Sequence, residues 1–163
     1  SNGMDKYEIH NLIRELVEKI TGGLRDISIA EEKPGSIWVA VELSEPHLFT
    51  SREGEGLSAL NHLVHRIVEA KNYARTGNIS ENPGVLIDIN GFQKRHIENI
   101  RAIAHMMSER ARYFKSNIEV DPMTAFERRI VHEFLSDAND LETESVGAGR
   151  ARRVVIKYVG ELK

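Results

Sequence analysis

Two side chains near the C-terminus have the types and spacing that could hold a phosphate group. Arg128 and His132 are four residues apart in a segment with helical periodicity, so on a helix they lie on one face. A guanidinium offers a planar fork of N–H donors to phosphate, and an imidazole offers one more. Further cations that could close on the same ligand are Arg129, Arg150, Arg152 and Arg153. The pattern predicts a phosphate-binding surface.

The four-residue spacing alone carries little weight, because Arg101 and His105 repeat it in a different helical segment. The surrounding sequence is stronger evidence, since a glycine turn at 147–149 and a β-branched strand follow the Arg128 helix. The alternative is a surface arginine beside a capping histidine, with the turn arginines paired to Glu142 or Glu144. Both interpretations remain open at the level of sequence.

A basic helical segment precedes this region. Residues 92–115 carry six Lys or Arg residues and two Glu residues, a formal charge of +4. One of its faces presents Lys94, Arg101, His105 and Arg112. This face is either a stripe directed at phosphates or an ordinary solvated surface opposite the core.

Hydrophobic periodicity predicts the elements that position these side chains. The first part reads as helix, strand, strand, short helical turn, helix and strand, over 5–20, 25–30, 36–43, 46–50, 55–74 and 85–89. The strand at 85–89 is apolar on both sides, which predicts a central place in its sheet. The second part reads as helix, short strand, helix and two strands, over 93–115, 118–120, 124–135, 142–146 and 152–159. Thr124 and Glu127 predict a capping box at the start of the helix that carries Arg128.

These motifs occur in an order that resembles a known family. The segment LFTSREGEGLSALNHLVHRIVE, from Leu48 to Glu69, is similar to the KH signature of the bacterial Jag (SpoIIIJ-associated) family. ERRIVHEFL, from Glu127 to Leu135, resembles the R-three-H domain, named for its Arg-x-x-x-His motif. The resemblance implies an α/β chain: a type II KH domain (αββααβ plus an added helix) over 4–116, then a small R-three-H domain over 117–163. The family's extra N-terminal domain is expected to be absent, and Ser1-Asn2-Gly3 resemble a tag remnant.

The resemblance also indicates a second candidate site. A KH domain holds single-stranded nucleic acid through a Gly-x-x-Gly loop whose backbone N–H groups approach phosphates. The aligned loop here consists of Ser51, Arg52, Glu53 and Gly54. Ser51 replaces the first glycine, and Glu53 offsets the charge of Arg52. The loop therefore either holds phosphate through Arg52 and Gly54, or is a turn that no longer binds RNA.

Composition limits the other possibilities. The net charge is −3, the hydrophobic fraction is 40%, and there is no cysteine, so disulfides and thiolate metal sites are excluded. No apolar run is long enough to span a membrane, so no membrane insertion is expected. His62 and His65 are three residues apart, but no third ligand with motif spacing accompanies them. No catalytic motif is present, and we expect no enzyme activity, no metal and no cofactor.

The expected function is binding of single-stranded RNA in a bacterial cytoplasm, as a post-transcriptional regulator or RNA chaperone, which the family resemblance implies. One alternative is a protein-interaction module, in which the KH domain pairs with a second KH protein or with itself. Another is single-stranded DNA binding through the R-three-H domain.

Overall fold

The structure is a computed structural model that describes residues 3–79 and 82–160. Two compact units divide between Lys94 and Arg95, and each has its own hydrophobic cluster. The sequence instead places a domain boundary at 116/117. The two positions differ because the apolar seam of the helix after Lys94 packs into the second cluster, through Ile100, Ala104 and Ala111.

The first unit has the predicted order of elements. These are α1 (Lys6–Ile20), β1 (Leu24–Lys33), β2 (Ser36–Leu43), α2 (His47–Thr76) and β3 (Gly84–Ile89). Non-helical backbone at residues 51–54 interrupts α2, so a short helix precedes a long one, as the sequence predicts. The sheet order is β1-β2-β3, with β1 and β2 antiparallel and β2 and β3 parallel.

The prediction that the strand at 85–89 is central was wrong, because β3 forms an edge of the sheet and β2 is central. Its apolar character has another cause. Asn61 of α2 covers the outer edge: its Oδ1 accepts from the Ile87 N–H at 2.8 Å, and its Nδ2 donates to the Ile87 carbonyl at 3.1 Å. An amide side chain thus takes the place of a neighbouring strand at Ile87, and the second half of β3, residues 87–89, is buried.

The core of the first unit lies between the sheet and the two helices. α1 contributes a fully buried stripe with helical spacing, consisting of Ile9, Ile13 and Val17. Alternate residues of β2 face the same cluster, which are Ile37, Val39, Val41 and Leu43. The long part of α2 adds Leu57, Leu60, Val64 and Val68.

The second unit is built around a small antiparallel sheet. Its elements are α3 (Phe92–Phe114), whose first turn precedes the division, β4 (Ile118–Glu119), α4 (Ala125–Leu135), β5 (Leu141–Val146) and β6 (Arg153–Tyr158). The strand order is β4-β6-β5. The predicted capping box is confirmed, because Thr124 Oγ1 accepts from the Glu127 N–H at 3.3 Å and Glu127 Oε2 accepts from the Thr124 N–H at 2.7 Å.

Over residues 3–79 and 82–160 the chain is therefore a mixed α/β protein with four helices and two small sheets, which confirms the predicted fold class at that level. Within those same residues no helix is long and apolar enough to cross a membrane.

Candidate nucleic-acid interface

The predicted pair on α4 lies on one face, but its two members have different surroundings. Ile130, Val131 and Leu135 are the buried residues of the helix, and Val131 and Leu135 lie beside Arg128, three and seven positions after it, so Arg128 is half-buried at the edge of the core. Arg128 donates one Nη1–H to the Met123 carbonyl at 2.8 Å. A guanidinium has five N–H donors, so this bond orients the group and leaves most of its fork for a ligand.

His132 faces two hydroxyl groups of β5. Its Nδ1 lies 2.6 Å from Thr143 Oγ1, and its Nε2 lies 2.8 Å from Ser145 Oγ. Burial, and then the charge of Arg128, hold the pKa of His132 below its ordinary value, so the ring is neutral near pH 7. A neutral imidazole donates from one nitrogen and accepts at the other.

The hydroxyl that accepts from His132 keeps its own proton available to donate. The sequence predicts an N–H of His132 directed at phosphate, whereas in the structure each ring nitrogen is hydrogen-bonded to a hydroxyl, of Thr143 or of Ser145. Sequence reasoning missed these two residues. Their spacing of two on a strand, which places them on one face, is the signal that could have found them.

Met123 links Arg128 to the glycine-rich turn between β5 and β6 by hydrogen bonds. The Met123 carbonyl accepts from Arg128, and the Met123 N–H donates to the Arg152 carbonyl at 3.2 Å. Arg152 in turn donates from Nη1 to the Gly147 carbonyl at 2.9 Å, across a turn in which Gly147 has a φ of 86°. Met123 therefore links the side chain of Arg128 to the backbone of the turn at Arg152.

The turn arginines are not equivalent. Arg153 binds Glu119 through Nε at 2.9 Å and Nη2 at 3.2 Å, and donates from Nη1 to the Ala151 carbonyl at 3.3 Å. This pairing holds the pKa of Glu119 below its ordinary value. The alternative partners considered from sequence are not used here, because Glu144 pairs with Lys157 instead.

Several arginines of the second unit have no carboxylate partner among residues 3–79 and 82–160. We call those of α4 and of the turn between β5 and β6 the unpaired arginines: Arg128, Arg129, Arg150 and Arg152. Arg129 and Arg150 are exposed. Such charges remain available to an anionic ligand, whereas a guanidinium already paired to a carboxylate must break that pair first.

One residue of the predicted basic face of α3, Arg112, is already paired with carboxylates. Arg112 binds Asp140 at 2.7 and 3.0 Å and Glu109 at 2.9 Å, and these contacts raise its pKa. Lys94 and Arg101 are exposed, as expected for the predicted site. Asp88 accepts from the backbone N–H groups of Gln93 and Lys94, at 2.8 and 3.3 Å, and so fixes the first turn of the helix.

The loop of the first unit has an unusual backbone. Arg52, Glu53 and Gly54 have φ values of 51°, 59° and 78°, three left-handed residues in succession. Ser51 has a φ of −69°, and its Oγ donates to the His47 carbonyl at 2.5 Å. A left-handed backbone at the first position is therefore not needed, and the serine there is a hydrogen-bonding residue rather than a strained substitute for glycine.

Gly54 and Gly56 have packing roles that sequence reasoning did not find. Gly54 is buried, and a Cβ at that position would lie 2.8 Å from Cζ of Phe92, whose ring packs on the first cluster. A Cβ at Gly56 would lie 3.0 Å from the Phe49 Cα. The absence of a side chain at Gly54 makes room for the Phe92 ring, and its absence at Gly56 lets the two parts of α2 approach closely.

Two substitutions in this loop are expected to act in opposite directions. Ser51→Gly loses the bond to His47 and adds backbone entropy, so it lowers the free energy of unfolding by about 1 kcal/mol. Glu53→Gly removes left-handed strain and raises it by about 0.5–1 kcal/mol. Urea unfolding followed by Trp38, the single tryptophan and a β2 residue, measures both. Equal shifts of the same sign would contradict the backbone assignment.

The described part of the chain contains no cluster of three His, Cys, Asp or Glu residues that could hold a metal ion. His65 lies 3.5 Å from Glu69.

Comparison with known proteins identifies a domain in the second unit. The family model of the R-three-H domain matches residues 98–158, a range that holds the unpaired arginines, His132, Thr143 and Ser145. The match begins within α3, before the predicted start of this domain at 117.

Two curated relatives carry the name RNA-binding protein KhpB. The protein of Bacillus subtilis (strain 168) is 23% identical over 157 residues, 95% of this chain and 72% of the relative. That of Clostridium symbiosum is 25% identical over 114 residues, 70% of this chain, and the match spans about half (48%) of the relative's length. The chain therefore contains an R-three-H domain and is homologous, at low identity, to proteins named KhpB.

Proposed function

We propose that this chain binds single-stranded RNA, and that the unpaired arginines of its R-three-H domain supply the main contacts to the phosphate backbone. The relatives are named RNA-binding proteins, which supports RNA as the ligand. Binding, rather than catalysis, is the proposed activity. The role that follows is that of a post-transcriptional regulator or RNA chaperone.

One observation carries the proposal. Arg128 and Arg152 both bond to the backbone of Met123, Arg128 through its guanidinium and Arg152 through its own carbonyl. Each guanidinium donates to a backbone carbonyl, and neither has a carboxylate partner in the described chain. A backbone carbonyl orients a guanidinium without cancelling its charge, so each group is oriented and still charged for an anion. Beside Arg128, His132 holds the Thr143 and Ser145 hydroxyls, and the one that accepts from the ring N–H can donate its own proton to a phosphate oxygen.

We further propose that the first unit is a type II KH domain with a secondary role in binding. Its order of αββααβ and its mixed sheet support this assignment. Arg52 and Glu53 are both exposed at the tip of the loop, so their opposite charges offset each other at phosphate range. Gly54 is buried against the Phe92 ring. We therefore expect the loop to contribute less than the unpaired arginines.

The salt dependence of RNA affinity tests the proposal. For three to four phosphate contacts on a single strand, a plot of log affinity against log salt is expected to have a slope of about −2 to −3. Arg128→Ala should weaken binding by about 1–3 kcal/mol and make the slope less steep by roughly 0.7, the value of one contact. The measurement is fluorescence anisotropy with a short single-stranded RNA of mixed sequence across a salt series.

Arg153→Ala is the matched control, since it removes the same charge from an arginine already held by Glu119. It should change affinity less than half as much as Arg128→Ala. Equal losses would show that only bulk charge matters, and a flat salt series would remove phosphate contact as the basis of function. The same series with DNA of identical sequence separates RNA binding from single-stranded DNA binding.

A further inference from the structure

The last turns of α3 expose an aromatic surface. Tyr113 is 82% exposed and Phe114 is 60% exposed, although both are large hydrophobic side chains. Their ring centroids are 5.0 Å apart and the rings are nearly perpendicular, at 88°. The edge of one ring therefore supports the other, and a ring face stays open to solvent.

The seam of α3 that packs in the second cluster does not include these rings, because it consists of Ile100, Ala104 and Ala111. The exposed surface is a shallow concavity lined by His105, Met106, Glu109, Arg110, Tyr113 and Phe114. Its residues are three and four positions apart, so they form one continuous face of the helix.

The charged residues of this face are Glu109 and Arg110, and they are not paired with each other. Glu109 binds Arg112 at 2.9 Å. Arg110, one turn before Tyr113 and Phe114, has no carboxylate partner in residues 3–79 and 82–160. The face therefore combines an open aromatic ring with an uncompensated guanidinium, within a segment that carries six cations and two carboxylates.

We propose that this aromatic surface is a stacking platform for a base of a single-stranded nucleic acid. A nucleotide carries a flat π system and a phosphate, so a single ligand occupies both the Tyr113 ring and the Arg110 fork. Stacking tolerates any base, because every base has a π face. This inference rests on the proposed function, and it adds a contact to the base that the unpaired arginines, which hold the backbone, do not make.

The test compares two ligands of equal length, a single-stranded RNA of mixed sequence and an abasic oligomer with the same sugar-phosphate backbone. Tyr113→Ala should lower affinity for the RNA by about 5- to 20-fold, the lower part of the range for losing one stacked base. Tyr113→Phe should keep affinity within about twofold. For the abasic oligomer, wild type and Tyr113→Ala should bind equally, and the salt slope should not change because no phosphate contact is lost.

Tyr73→Ala is the matched control, since Tyr73 is a helical tyrosine 55% exposed on α2. It should leave RNA affinity unchanged. Because Tyr113 is so exposed, its substitution should preserve the fold, which circular dichroism checks.

The outcomes separate the two proposals. If wild type binds RNA and depends on Arg128, but Tyr113→Ala binds RNA as tightly as wild type, the stacking platform is overturned alone. The aromatic surface would then be assigned to a protein partner. If wild type binds neither ligand at any salt concentration, the proposed function fails, and the platform fails with it. Equal losses for the RNA and the abasic oligomer would also overturn stacking.

Discussion

Gly54→Ala is expected to lower the free energy of unfolding of the first unit by about 2–4 kcal/mol, through left-handed strain and overpacking together. Gly54 has a φ of 78°, a region that residues with a Cβ occupy at a cost. The added methyl group would also enter the space of the Phe92 ring, which packs on the first cluster. The measurement is urea unfolding followed by the fluorescence of Trp38.

Gly77→Ala is the matched control. Gly77 ends α2 with a φ of 69°, and apart from its chain neighbours and the backbone of its own helix, no atom of residues 3–79 and 82–160 lies within 4 Å of the position that its Cβ would take. Gly77→Ala should therefore introduce backbone strain without a steric clash, and lower the free energy of unfolding by about 1 kcal/mol. If both variants lose the same stability, the Phe92 contact has no energetic role. If Gly54→Ala is as stable as wild type, the loop backbone described here is wrong.

Asn61→Leu is expected to destabilise the first unit by about 2–4 kcal/mol, because it removes the partner of two backbone groups at once. The Ile87 N–H and carbonyl both bind the Asn61 amide, and Ile87 is fully buried, so water does not replace the lost bonds. Leucine has a similar volume, so the loss reports polar groups left without partners rather than a cavity. Hydrogen exchange of the Ile87 amide should accelerate along with the loss of stability.

Asn11→Leu provides the comparison, since Asn11 is an exposed residue of α1 in the same unit. Asn11→Leu should change the free energy of unfolding by less than about 0.5 kcal/mol, as most surface substitutions do. Protection of Ile87 that persists in Asn61→Leu would contradict the view that this side chain closes the edge of the sheet.

Gly54 connects the core with the proposed RNA-binding role of the first unit. Gly54 lies in the loop that the family resemblance associates with phosphate, yet its conformation is set by the contact with Phe92. The ring and the three left-handed residues together hold the loop in one shape. A substitution there that changes RNA affinity therefore needs a stability measurement beside it, since the loop and the core share residues.

Local patterns were enough to predict most elements. The apolar spacing of α1 and of the long part of α2 predicts their buried faces, and the turn between β1 and β2 follows from Lys33-Pro34-Gly35. The capping box at Thr124 was predicted because it involves residues three apart in one helix. Such features depend on neighbours within a turn or two of the chain, and the sequence contains them directly.

The candidate site was predicted in part. Arg128 and His132 lie on one face of α4, as helical spacing requires, and the turn arginines follow β5 as expected. Their partners were not predicted. A periodic pattern shows which side of a helix a residue occupies but not which distant side chain it meets, so Glu119 could not be chosen for Arg153 over Glu142 or Glu144.

The amino-acid sequence by itself determined the order of helices and strands, the shared face of Arg128 and His132, and the resemblance to the R-three-H domain that the family comparison confirms. Only the tertiary structure decided that β3 lies at an edge closed by Asn61, and that His132 holds hydroxyls of β5. It also decided which arginines remain unpaired. The physical reason is that hydrogen bonds and ion pairs between residues far apart in the chain depend on where folding brings their atoms, and polar partners are chosen by distance and burial rather than by periodicity.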